Sequence, residues 1–473
     1  MEQRWKVLTI TSVGLFMASL DLFIVNIAFP SMAVNFGGAS LSSLSWVLNA
    51  YAIVFAALLV PAGRIADRVG RKRVFIAGLL LFSSASALCA VAPSIPFLVG
   101  ARVLQASGGA MMLPTTLGLI LPAFPASERA VAIGIWSAVG GAAAALGPPI
   151  GGLLVGLSWR WIFVVNIPIG LVTALIAARS LREIREPDDA PPDLIGAAEL
   201  AIGIALLTAG IVKGPDWGWA DARIIGAFGA AIGLVAAFLV RSGRHPAPVI
   251  ELPLLRVRSF AVANLAAAVF FAGFGAMLLS GVLLLTEVWG YSALHAGLAL
   301  SPGPLMAAVF AVPSGRLGGR VGQRPVAATG GLVFAAGFAL ILASVGPSPD
   351  YAGAFLPGFM LGGAGVGMVL GTLPAAATAS LPADRFATGT AVFGMARQIG
   401  AAIGVAMLVA LLDNPAPGEL LTGIRRGWVF SLATGLGTAA LALALGPRAA
   451  RVEAPPPPRP DPLRGVAPGA AEI

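Results

Sequence analysis

Charge is scarce in this chain: of 473 residues, 11% are Asp, Glu, Lys or Arg, while 58% are hydrophobic and the mean hydropathy is +0.91. That balance excludes an ordinary soluble domain and leaves a polytopic membrane protein. Cysteine is scarcer still. The single Cys89 sits in an apolar run, which rules out an intrachain disulfide, makes structural filler its expected role and leaves the redox compartment unread. The two histidines, His245 and His295, lie near loops, with no HExxH, paired DDxxD or Ser/His set, so a membrane enzyme lacks its catalytic cluster and no metal site is expected. No connector exceeds roughly 20 residues apart from a low-complexity tail, which leaves no room for the folded module of a sensor or scaffold. The net charge of +9 and pI near 10.8 invite a nucleic-acid reading, but no basic stripe interleaved with aromatics lies on a foldable soluble segment.

What charge there is sits in few places. GRIADRVGRKR, Gly63 to Arg73, packs five bases and one acid between two apolar runs and reads as a turn between membrane helices. A weaker copy, GRLGGRVGQRP, returns at Gly315 to Pro325 and implies a duplicated body whose halves can rock against each other. Runs long enough to cross a bilayer fall at 7–29, 44–62, 74–92, 96–121, 131–156, 161–179, 195–212, 223–240, 260–285, 294–313, 326–345, 352–373, 388–412 and 428–446, fourteen in all. The first is too long for a cleavable signal. Loops and termini on one side carry 23 of the 30 bases and the other side five, so both termini are expected in the cytoplasm. Only three bases are Lys, a bias that suggests a GC-rich bacterial genome and hence a bacterial cytoplasmic membrane.

The expected organisation is all-α: a six-helix half over 1–186, a linker with two inserted helices over 187–250, a second six-helix half over 251–446 and a disordered tail over 447–473. Asp188 and Asp189, in a Pro-broken connector, read as solvated loop acids. Trp217 and Trp219 read as anchors at the outer interface.

Two deep charges are the main functional candidates. Asp21, in LDLFIVNIAFP, lies about 21 Å along its helix, where a bare carboxylate would cost from about 3 to more than 10 kcal/mol. It must be paired, wet or protonated. Arg102 in the fourth span falls at nearly the same depth and is the expected partner; with Gln105 and Gly109 it forms one polar stripe expected to face a central cavity. Asn26 is about 140° around the helix from Asp21 and shares no face with it. In the fifth span Gly140, Ala144, Gly147 and Gly151 share a small face interrupted by Pro148 and Pro149, followed by Gly152, which suits either close packing or a gate.

These stretches resemble the major facilitator superfamily. GRIADRVGRKR looks like its loop 2–3 signature, and LDLFIVNIAFP, RVLQASGGA and GPPIGG resemble its span-one, span-four and span-five motifs, the last a mark of exporting antiporters. Fourteen spans and WRWIFVVNIPIG resemble the drug:proton antiporter branch. The likeness implies a major facilitator fold and proton-coupled efflux of lipophilic small molecules, drugs or antibiotics, driven by the proton gradient without a cofactor. Asp21 would be the proton site, Arg102 its coupling partner, and Gly63, Asp67, Arg68, Gly70, Arg71 and Lys72 the conformational motif, with Asp67 reaching a second-half helix.

The repeat has Gly319 where the first copy has Asp67, and Met360 aligns with Arg102, so proton handling is expected in the first half alone. Asn26, Gln105, Met112, Phe270, Phe271, Met277, Met395 and Arg397 are candidates for the substrate cavity. The second half has no deep acid, which favours a neutral, monocationic or zwitterionic cargo over a dication. Partners are then a lipophilic substrate, protons and membrane lipids, with one chain sufficient for one pathway. A solute:proton symporter or a dedicated metabolite exporter of the same fold is the alternative.

Overall fold

The computed structural model describes residues 2–125, 127–185, 191–379, 381, 385–412 and 419–446. The tail over 447–473 and the Asp188–Asp189 connector lie outside them. Fourteen long helices make up the molecule: α1 Gln3–Asn35, α2 Leu41–Val69, α3 Arg71–Ala90, α4 Ile95–Ala123, α5 Arg129–Leu157, α6 Trp161–Ser180, α7 Leu194–Trp217, α8 Ala222–Ser242, α9 Arg258–Val288, α10 Ala293–Val321, α11 Gln323–Ser344, α12 Tyr351–Thr378, α13 Phe386–Leu412 and α14 Leu420–Leu443. Thirteen are long and apolar enough to cross a membrane by composition alone. The fourteenth has 24 residues, about 36 Å at 1.5 Å per residue, and carries Arg425 and Arg426 in its first turns. Arg425 donates to the Val345 carbonyl at 2.7 Å, so this charge is held at the helix end.

The charged stretch from Gly63 to Arg73 is not a loop. Two further turns of α2 run through it to Val69, Gly70 alone makes the reversal at φ 126°, and α3 starts at Arg71. Charges on helix turns that project beyond the hydrocarbon look like a loop in a hydropathy profile, which is why the expected boundary at residue 62 is short of the helix end. Gly322, between α10 and α11, repeats the device at φ 98° in the second copy of the motif. A side chain at either position is strained in that left-handed region.

The duplication extends to packing. In the first half α4 packs on α2 and α3, α5 on α1, and α6 on α3. In the second, α12 packs on α10 and α11, α13 on α9, and α14 on α11, each pair displaced by eight helices. Small residues permit these approaches, since apolar side chains gain little from leaving lipid for protein. Gly108 of α4 lies against Gly78 and Phe82 of α3, and Gly365 and Gly337 make the corresponding contacts between α12 and α11. The halves meet along three seams: α2 on α13, α5 on α10 and, more lightly, α1 on α9.

The inserted pair α7 and α8 pack on each other, and α7 lies against both α2 and α13, over the seam of the halves. Asp193 ties the pair together: it caps α7 through the Gly196 amide at 2.9 Å and accepts from Arg241 of α8 at 2.6 Å. At the far end Trp217 and Trp219 are exposed, Trp217 under the Arg223 guanidinium at 4.1 Å.

A methyl group at Gly108 would lie 2.6 Å from the Phe82 amide nitrogen, whereas one at Gly100 meets nothing within 4 Å. Gly108→Ala is expected to cost about 1–3 kcal/mol through forced separation of α3 and α4, and Gly100→Ala to be neutral or stabilising. Melting temperatures of the two purified variants in detergent, compared with wild type, check this.

Candidate functional site

The two deep charges of the first half meet. Arg102 of α4 donates through one terminal nitrogen to Asp21 Oδ2 of α1 at 2.5 Å, and Gln105, one turn on, donates to Asp21 Oδ1 at 2.9 Å. Four further contacts bind these side chains to their neighbours. Arg102 also donates to the Gln105 side-chain oxygen at 2.6 Å and, through Nε, to the Val47 carbonyl of α2 at 3.1 Å. The Gln105 amide reaches Ser86 Oγ of α3 at 2.9 Å, and Cys89 Sγ lies 3.8 Å from its oxygen. The guanidinium sits 4.2 Å over the Tyr51 ring and 5.8 Å from Phe163 of α6, so five helices enclose it.

This arrangement corrects one expectation. The stripe of Arg102, Gln105 and Gly109 does not face an open cavity: Arg102 is 1% exposed, and Asp21 and Gln105 are fully buried. Gly109 instead gives room to Tyr51 and Phe55 of α2. The buried pair is tolerable because the carboxylate accepts two donors and the guanidinium gains a carbonyl and an aromatic face, the conditions under which a buried ion pair offsets its desolvation. Among the members, Val47, Tyr51 and Ser86 escaped sequence reasoning, because a backbone carbonyl leaves no mark in a sequence and a lone Tyr or Ser in an apolar helix carries no pattern.

The remaining candidates divide by location. Met112 packs inside the first half against Gly78, and Phe270 packs 4.8 Å from Phe334 inside the second, so neither lines a space between the halves. Apolar residues facing a cavity and facing a protein core look alike in sequence. Asn26 is 7% exposed and spends its amide on the Leu22 carbonyl of its own helix at 2.8 Å. Met277 and Met395 are buried in the shared core at 6% and 3% exposure. Phe271 and Arg397 do lie at the seam. The Arg397 guanidinium is 4.7 Å from the Phe271 ring, Phe271 touches Phe274 at 5.5 Å, and Phe274 meets Phe23 of α1 at 6.4 Å.

The glycines of GPPIGG are packing surfaces between helices. A methyl at Gly147 or Gly151 would run into Phe23 or Ile24 of α1, and one at Gly152 into the backbone of α10 at Ala293 and Leu294. Pro148 and Pro149 lie inside an unbroken α5, and the Pro148 carbonyl presses on Gly297 of α10. At the opposite end of the bundle the basic motif is braced inside the first half. Arg71 bonds Asp67 at 2.8 Å and the Gly118 carbonyl at 3.0 Å, Lys72 bonds the Ala178 carbonyl at 2.7 Å, and the Lys72 amide bonds Glu183 at 3.0 Å. Gly63 abuts Pro114, while Arg68 is exposed. One bridge to the second half runs through Arg64. It meets Glu251, in the connector before α9, at 3.2 Å, and Glu251 also holds Arg385, at the start of α13, at 2.6 Å. Glu251 went unrecognised because the sequence tally weighed basic residues alone.

The family model of the Major Facilitator Superfamily matches residues 11–405 and again 265–472. The chain belongs to the Major Facilitator Superfamily. The "Probable actinorhodin transporter" of Streptomyces coelicolor is 35% identical to this facilitator over 455 residues, covering 92% of this chain and 78% of that one. The "Multidrug transporter protein MdtP" of Bacillus subtilis is 30% identical, over 89% of this chain and 78% of the relative. The "Tetracenomycin C resistance and export protein" of Streptomyces glaucescens is 32% identical, over 87% and 76%. Among solved structures, a bacterial homolog of the human lysosomal transporter Spinster superposes with a TM-score of 0.68 at 18% identity, covering 94% of this chain and 97% of that one, a likeness of fold alone. The facilitator is thus a multi-pass membrane transporter with relatives named for drug or antibiotic transport, resistance and export.

Removing the carboxylate alone strands the guanidinium. Asp21→Ala is expected to lower stability by about 3–5 kcal/mol, and adding Arg102→Gln to that variant is expected to restore a large part of the loss. Thermal unfolding in detergent of the two single variants and the double variant measures the coupling.

Proposed function

We propose that this facilitator exports lipophilic small molecules, drugs or antibiotics among them, across a bacterial cytoplasmic membrane in exchange for protons. The observation that carries the reading is the Asp21–Arg102 pair, a carboxylate and a guanidinium held together in the buried interior of the first half. An intramembrane acid is costly to keep and marks a proton or ion pathway by default. The 23-to-5 distribution of bases between the two sides supports a cytoplasmic location for both termini and the Gly63–Arg73 motif. Relatives named for resistance and export support outward transport of the substrate.

The proposed cycle follows from the two forms of one carboxyl group. With Asp21 ionised, its hold on Arg102 and Gln105 ties α1 to α4. In an outward-open state Asp21 takes a proton, the attraction to Arg102 falls, the two helices are free to separate and substrate leaves. In an inward-open state the proton passes to the cytoplasm, the pair re-forms and new substrate binds. Alternation needs seams that can open at either face. On the cytoplasmic side the Arg64–Glu251–Arg385 bridge is such a contact, and on the outer side the glycine-lined seat of α5 on α10 is another. One proton entering down 150 mV yields about 3.5 kcal/mol, enough for a gradient of a few hundredfold of a neutral substrate.

Asp21→Asn is expected to insert normally and to lose substrate-induced proton release by at least about tenfold, the loss of a general proton carrier. Everted vesicles energised by respiration and loaded with a fluorescent pH indicator check it. Undiminished proton release on substrate addition would contradict the assignment.

A further inference from the structure

Of the two guanidinium groups deep in the helices, one is answered and the other is not. Arg397 makes no hydrogen bond or ion pair among the described residues, and its Nε is buried without an acceptor. Its one partner is the face of Phe271, at 4.7 Å. Nε is the guanidinium nitrogen found buried without an acceptor, and the residue as a whole is half-buried, so its terminal nitrogens keep accessible surface. Fifteen residues separate Arg397 from Leu412 at the end of α13, and fourteen separate Asp21 from Asn35 at the end of α1, so both charges lie about 21–22 Å below the same face of the molecule.

The surrounding helices hold nothing to neutralise it. Among the described residues inside helices α9 to α14 the one acid is Glu287, sixteen residues from Phe271 and about 24 Å further along α9, while Asp350 and Glu419 stand just before the starts of α12 and α14. On α7, which packs against α13, Glu199 lies about 9 Å nearer the basic side and no ion pair joins the two. The face of α2 that meets α13 carries Leu59 against Gly394, and α10 contributes no acid. A cation left unanswered at mid-membrane depth destabilises the protein that keeps it, and the Phe271 face offsets only part of that cost.

We propose that Arg397 binds an anionic group of the transported molecule: a carboxylate, or an ionised phenol or enol, on a lipophilic scaffold bearing one such negative group. The guanidinium offers a planar fork of donors that matches a carboxylate. The Phe271–Phe274–Phe23 chain leading from it across the seam offers a flat apolar surface for the rest of the molecule. This deepens the export reading by naming a substrate class, and it does not depend on proton coupling. If the cargo is a monoanion exchanged for one proton, each turnover moves two charges rather than one. Each charge is worth about fiftyfold in accumulation per 100 mV.

The test is binding to the purified full-length protein in detergent, with fluorescent anthracene-carboxylate and its methyl ester as probes at neutral pH. Wild type is expected to bind the acid about tenfold or more tighter than the ester, the size of a charge-assisted hydrogen bond. Arg397→Gln is expected to abolish that preference while keeping ester binding, and Arg397→Lys to retain part of it. Without ligand, Arg397→Gln is expected to melt higher than wild type, because it removes an unanswered charge; a merely structural arginine would give a lower melting temperature. The preference is read by equilibrium binding without a proton gradient, so its failure is distinguishable from failure of the proton release measured with Asp21→Asn. A wild type that binds acid and ester alike, or neither, overturns the proposal, as does an Arg397→Gln protein that keeps the preference.

Discussion

A charge inside the hydrocarbon must be answered, and the architecture of the first half follows from how Arg102 is answered. Its five neighbours come from α1, α2, α4 and α6, and α3 joins through Ser86 on Gln105, so forming the ion pair with Asp21 requires most of that half to be assembled. The pair is therefore a structural keystone of that half. Adding one proton to Asp21 turns a charge–charge attraction in a low-dielectric pocket into a much weaker hydrogen bond. No other ion pair among the described residues has both partners so fully buried.

The second half shares the packing plan but not the chemistry. Glycine contacts between α3 and α4 recur between α11 and α12, and the Gly70 reversal recurs at Gly322. Yet Met360 stands at the position aligned with Arg102, and the deep cation of this half, Arg397, lies at the seam rather than inside the bundle. Duplication supplied two similar frames, and divergence placed a closed charge pair in one and an open charge in the other. The inserted helices bear on both, since α7 touches α2 and α13 where the halves meet.

Much of this was legible in the sequence, for physical reasons that also explain the gaps. Fourteen crossings follow from run lengths, and the Asp21–Arg102 pairing follows from matching depths once a lone intramembrane charge is judged untenable. Gln105 follows from its spacing one turn after Arg102. The expected end of the second span at residue 62 falls short of Val69 because hydropathy reports where the membrane ends, not where a helix ends. Met112 and Phe270 were offered as cavity wall because burial against protein and exposure to a substrate select the same side chains. The Arg64–Glu251–Arg385 bridge joins residues 187 and 134 positions apart, a distance at which charge patterning in one sequence carries no information.

The central claim is that the Asp21 carboxyl changes protonation state when substrate binds. Infrared difference spectroscopy on the purified protein, with and without a transported substrate, reads this directly through the C=O stretch of a protonated carboxylic acid. The account predicts a substrate-induced change in that band that is absent in Asp21→Asn. A band that does not respond to substrate, or one that persists unchanged in Asp21→Asn, would contradict it.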